Sequence, residues 1–262
     1  MSKKSQVAIL SVGSNTLLIA MKIVVGLLSG SVSIISEAIH SFMDLVAAVI
    51  AFFSVKYSDD PPDDQHPYGH GKIENVSGVV EALLIFVAAI WIIYEAVKKL
   101  THPSVIEQLG WATAVMIISA LVNWLVAKRL YKVARETDSV ALEADALHLQ
   151  TDVYTSLGVA AGLVLIKITG LHLFDPIVAI VVALIIIQKS YELLVDAFKP
   201  LIDHQLTKDE VDIISSSLKE KNYTFHNLKT RKSGSYRFAE LHLELDENMS
   251  LKDVHRTCDR CV

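Results

Sequence analysis

Hydrophobic residues run in six long stretches over the first 200 positions, separated by short polar breaks. They cover 7–28, 32–57, 73–100, 109–133, 140–168 and 175–198. Each is at least as long as the roughly 20 residues needed to cross a hydrocarbon core, so the pattern predicts six membrane-spanning helices. Ser29-Gly30-Ser31 turns the first into the second, and the sixth opens on Asp175-Pro176, an N-cap followed by a first-turn proline. After Pro200 the pattern changes. Thr207 and Glu210 form a capping-box signature ahead of Val211, Ile214 and Leu218 at helical spacing. Residues 227–232 and 236–245 read as a β-hairpin joined at Ser233-Gly234-Ser235, and a second helix begins near Ser250. The expected fold is an all-α six-helix transmembrane bundle over residues 1–202 with a small C-terminal α+β domain over 203–262. The tail ends at Val262 in mid-helix and reads as truncated before its last strand.

Composition agrees with a multi-pass membrane protein. Of 262 residues, 52% are hydrophobic. The two cysteines, Cys258 and Cys261, exclude a disulfide framework. The first apolar segment lacks a small-residue cleavage site and predicts a retained helix. Lys3, Lys4, Lys56, Lys72, Lys128, Arg129, Lys132 and Arg135 gather on one side, against Lys98, Lys99 and Lys167 on the other. The richer side is expected to be cytoplasmic, which places both termini there. Lys22, within the first helix, is expected to snorkel to the interface.

Two of the apolar helices carry the same polar pair. His40 and Asp44 lie in the second, and His148 and Asp152 in the fifth. A spacing of four puts each His and Asp on one helix face. A carboxylate at bilayer depth is costly and marks a functional site. The two helices run in opposite directions with their pairs near mid-helix, so the four side chains share one depth. Two imidazoles and two carboxylates form a tetrahedral set for a borderline divalent ion. Zn²⁺ fits first, with Fe²⁺, Co²⁺ and Cd²⁺ compatible, whereas Mg²⁺ and Ca²⁺ would call for oxygen alone.

Two weaker clusters lie outside the helices. Asp63, His66 and His70, in the loop 58–72, are close enough in sequence to share one ion. His226, His242 and His255 are dispersed through the tail, beside a Cys-x-x-Cys at Cys258 and Cys261 that is a weak zinc signal by itself.

These motifs, in this order, resemble the cation diffusion facilitator family of metal/proton antiporters, in particular its bacterial zinc and ferrous-iron exporters. The matching residues are 36–44, the run Asp63-Asp64-Gln65-His66-Pro67-Tyr68-Gly69-His70-Gly71-Lys72, the stretch Glu143 to Asp152, and Leu201-Ile202-Asp203. The resemblance implies a homodimer in the plasma (inner) membrane and a tail resembling a ferredoxin-like metallochaperone. It implies that His40, Asp44, His148 and Asp152 carry the transported ion. Asp63, His66 and His70 would form the loop site, and His226, His242 and His255 a regulatory zinc site at the tail dimer interface. Lys72 and Asp203 would pair between protomers. The family's last strand, with its further His and Asp ligands, is absent from this sequence.

The leading expectation is a proton-driven exporter of a divalent transition metal and not an enzyme. Its partners would be the bilayer, metal ions, protons and a second copy, with no nucleic acid. No Gly-x-x-x-x-Gly-Lys-[Ser/Thr] loop provides for ATP drive. An intramembrane metal-dependent hydrolase is an alternative, although four ligands would close its site and no His-Glu-x-x-His occurs. A non-transporting metal-responsive scaffold is another.

Overall fold

The computed structural model describes residues 2–29, 32–101, 111–169 and 173–259. Six long helices lead: α1 Lys3–Ser29, α2 Val32–Ser58, α3 Lys72–Thr101, α4 Trp111–Thr137, α5 Val140–Thr169 and α6 Phe174–Phe198. A 3-10 turn, Lys199–Ile202, connects to α7 Lys208–Glu220, β1 Thr224–Ser233, β2 Tyr236–Glu244 and α8 Leu251–Asp259. α6 differs from expectation at its start. It begins at Phe174 with Leu173 in the cap position and no side-chain cap bond, so Asp175 is a helical residue and not the cap.

α1 packs on α2 and on α4, and α5 packs on α4 and on α2, closing a ring of four helices. α3 and α6 form a pair, and both lie against α5. α5 therefore belongs to two cores. Ala141, Leu142, Ala146 and Leu149 enter one with α1, α2 and α4. Val140, Ala144 and Leu147 enter the other with α3 and α6. Its alanines let neighbours approach closely, and in lipid that packing, rather than water exclusion, holds helices together.

The six long helices are not equally apolar, and for α5 its place in two cores is the reason. Among the described residues, four segments are long and apolar enough to cross a membrane: Lys3–Leu28, Ser41–Ser58, Lys72–Lys98 and Pro176–Ile202. α5 carries Glu143, Asp145 and Asp152, and α4 ends in Lys128, Arg129, Lys132 and Arg135. α5 can hold Asp145, which is fully buried, because other helices and not lipid surround it.

One end of the bundle is locked by a buried ion cluster. Glu74, 1% exposed at the start of α3, accepts from Lys4 Nζ at 2.7 Å, from Ser58 Oγ at 2.7 Å and from the Ser139 hydroxyl. Lys4 also pairs with Asp59 at 2.7 Å. A buried charge is tolerable when fully partnered, and here the partners come from α1, α2, α3 and the α4–α5 turn.

The tail docks on this end. β1 and β2 pair antiparallel, with Ser233 opposite Tyr236 across a two-residue turn. At that turn Gly234 has φ +58 and its N–H donates to Asn75 Oδ1 at 2.9 Å. A Cβ on Gly234 would stand 2.6 Å from Gly71 O, and one on Gly71 would stand 2.4 Å from Ser233 O. Only glycine lets the two backbones meet. Arg237 bridges Asp138 of the α4–α5 turn and Glu210 of α7. Lys72 pairs with Asp203 at 2.9 Å, joined by Arg231 at 3.3 Å. Within the chain, the 3-10 turn returns Asp203 to the start of α3, which is what brings it to Lys72.

Candidate metal centre

Asp44 on α2 is 3% exposed, and its Oδ1 lies 3.1 Å from His148 Nε2 on α5. The adjacency of α2 and α5 brings together two residues 104 positions apart. Ligand atoms about 2.0–2.1 Å from a tetrahedral ion stand roughly 3.3 Å from one another, so this spacing suits two members of one coordination shell. Asp152 lies one turn beyond His148 on α5, and its Oδ2 accepts from Asn123 Nδ2 of α4 at 3.1 Å. His40 falls one turn before Asp44 in α2, and its side chain lies outside the described residues.

The surroundings hold polar groups to which the sequence reading gave no part in the site. Lys22 does not snorkel. It is buried at 5% exposure and donates to Ser41 Oγ at 2.6 Å, beside His40 in sequence. Glu81 of α3 and Asp145 of α5 are fully buried. Glu81 accepts from Ser77 Oγ at 3.1 Å, and the Ser11 hydroxyl of α1 lies beside Asp145. Both carboxylates sit in apolar helices, the signal that should have marked them. Asn123 carried no such signal, since one amide in an apolar run names no partner.

The loop triad assembles. One ligand atom from each of Asp63, His66 and His70 lies within 4.8 Å of the others. His66 Nδ1 is 3.1 Å from Asp63 Oδ1, and His70 Nε2 is 3.4 Å from Asp63 Oδ2. The His66 backbone N–H, at 2.6 Å, holds the Asp63 carboxyl below its ordinary range, with the His66 ring and the Gln65 N–H helping. Asp63 is therefore ionised and ready to bind a cation.

In the tail, His226 and His242 are directly opposed across the hairpin, with His242 Nδ1 at 3.3 Å from His226 Nε2. Glu244, not foreseen, lies 2.9 Å from His226 Nδ1. His255 lies on α8, paired along the helix with Asp259 at 3.8 Å. Cys258 is exposed there, and Cys261 lies outside the described residues.

The match to known families follows this geometry. Residues 8–202 match the cation efflux transmembrane domain, and residues 206–262 match the cation efflux protein cytoplasmic domain. The chain belongs to the cation efflux family. An uncharacterised transporter of Synechocystis is 32% identical over 96% of this chain and 82% of its own length. A cation-efflux pump, FieF, of Shewanella oneidensis is 30% identical over 95% of this chain and 84% of its own. An uncharacterised transporter of Methanocaldococcus jannaschii is 32% identical over 94% and 88%. As a family member, the chain is an integral membrane transporter for divalent metal cations and not an enzyme.

Proposed function

We propose that the chain exports Zn²⁺, or a similar ion such as Fe²⁺, Co²⁺ or Cd²⁺, from the cytoplasm in exchange for protons. His40, Asp44, His148 and Asp152 form the transport site. The observation that carries this reading is the buried contact of Asp44 with His148 across α2 and α5, with Asp152 one turn along. Nitrogen and oxygen ligands together favour a borderline ion over Mg²⁺ or Ca²⁺. Metal binding needs neutral imidazoles and ionised carboxylates, so protons compete for the same atoms.

The tail, residues 203–262, is the cytoplasmic regulatory and dimerisation domain, and residues 1–202 are the membrane domain. The family matches over 206–262 and 8–202 support that division. His226 and His242, with His255, hold a regulatory ion that draws two tails together, and Asp63, His66 and His70 hold a further ion in the loop. Basic residues clustered at the tail end support an inner-membrane orientation with both termini cytoplasmic.

Zinc uptake into proteoliposomes under an imposed pH gradient tests the proposal. Wild-type protein is expected to move zinc, and Asp152→Ala to fall to the background of empty vesicles while keeping its helical circular dichroism. Flux near the wild-type level in Asp152→Ala would sink the site assignment.

A further inference from the structure

A groove of about 780 Å³ runs over α5 between α4 and α6, at the end of the bundle that bears the tail. It is separate from the ion site. Its α4 wall presents Lys128, Lys132 and Arg135. Spacings of four and three put these cations on one helix face.

The charges in the groove do not cancel. On the α6 wall, Glu192 is already paired with Lys189 at 2.7 Å, and Asp196 with Lys199 at 2.9 Å. None of the three α4 cations forms a salt bridge among the described residues. Lys128 instead lies over the Trp124 ring, 5.4 Å from its centre. The lining as a whole carries four cations, Lys128, Lys132, Arg135 and Lys189, against three carboxylates, Glu143, Glu192 and Asp196. The groove is short of negative charge.

Polarity also changes along its length. The cations lie toward the tail. One to two turns deeper, the same face of α4 continues through Trp124 to Leu121, which is 56% exposed. On α6, Ile185 lies one turn deeper than Lys189 and is also exposed. A soluble anion would use only the cationic part. A molecule with an anionic head and apolar chains would use both.

We propose that this groove binds an anionic phospholipid. Its phosphate sits among Lys128, Lys132 and Arg135, and its acyl chains run along Leu121 and Ile185. Basic pockets between membrane helices take lipid headgroups in this way, and Trp and Tyr side chains at headgroup level anchor the interface. Trp124, Tyr131 and Tyr154 line the walls here.

Native mass spectrometry of the detergent-solubilised full chain, with added phosphatidylglycerol or phosphatidylcholine, tests this. Phosphatidylglycerol is expected to be retained in preference to phosphatidylcholine. The variant Lys128→Gln/Lys132→Gln/Arg135→Gln should hold it roughly 100-fold more weakly. Arg129→Gln, on the same helix but outside the groove, should bind as wild type. Millimolar inorganic phosphate should not displace the lipid. Equal retention of the two lipids, wild-type binding by the triple variant, or displacement by free phosphate would each overturn the proposal. Should the triple variant aggregate, a protein with Trp91→Phe and Trp111→Phe decides, because Trp124 is then the one indole left. Phosphatidylglycerol with brominated chains should quench its fluorescence more than the phosphatidylcholine analogue, and equal quenching would refute the site. None of these readouts involves metal transport.

Discussion

Asn123 is the residue through which the proposed transport site would depend on something other than its ligands. It is 5% exposed, and its amide donates to Asp152 Oδ2. A carboxylate with one oxygen fixed presents the other in a set direction, which is how a neighbour tunes a metal ligand. Asn123→Leu is expected to weaken zinc binding by about 10–100-fold with the helices intact. Isothermal titration of zinc in detergent measures it, and unchanged affinity would remove Asn123 from the site. A spacing of four on a helix is what marks the two His/Asp pairs in the sequence, and of their members the structure describes Asp44 beside His148. Asn123 was not legible there, because its partner lies 29 residues away on another helix. Lys22 was misread for a related reason. A lone cation in an apolar segment defaults to the interface, and only the packing of α1 on α2 brings it to Ser41.

At the scale of elements, the long helices followed from apolar length, less strongly for α4 and α5 than for the other four, and their ends fell within a few residues of expectation where caps or glycines marked them. α7 is the clearest case, since both hydrogen bonds of the Thr207–Glu210 capping box are present. The start of α6 was misplaced because Asp-Pro is a common opening but the helix needs no side-chain cap there. Docking of the tail was not legible, since it rests on pairs far apart in sequence, such as Arg237 with Asp138. That docking carries a pH dependence. Arg237 first, then the Thr207 hydroxyl and backbone N–H, hold the Glu210 carboxyl down at about 2, against an ordinary 4.5. A carboxyl depressed on folding contributes stability that is complete above pH 4.5 and is lost as pH falls through about 2. Arg237→Gln should destabilise the tail by about 1 kcal/mol at neutral pH, after allowance for solvent screening of a half-exposed pair. The variant and wild type should converge near pH 2. Hydrogen exchange of β2 amides across this range reads the difference, and parallel pH curves for the two proteins would contradict the assignment.

At the scale of the whole molecule, the constraint is net charge carried across a low-dielectric bundle. With zinc bound, the proposed quartet sums to zero: +2 from the ion, two carboxylates at −1 and two neutral imidazoles. With zinc released and both imidazoles protonated, the sum is again zero. A site deep between α2 and α5 bears a large penalty for net charge, so these two states are the easiest to hold while the helices reorient. A free imidazole titrates near pH 6.5, close enough to cytoplasmic pH for both histidines to exchange metal for a proton. The expected exchange is one Zn²⁺ for two protons. Moving one elementary charge across the bilayer couples to about 2.3 kcal/mol per 100 mV, whereas a cycle that moves none is insensitive to potential. Glu81 and Asp145 leave this balance unchanged provided they hold the same charge in both states, and the measurement tests that condition too. Zinc flux in proteoliposomes at a fixed pH gradient, with the potential set by potassium and valinomycin, should vary little between 0 and about −100 mV. A steep dependence would mean that net charge moves, as in exchange for a single proton. It would rule out the two-proton cycle while leaving zinc–proton exchange itself in place.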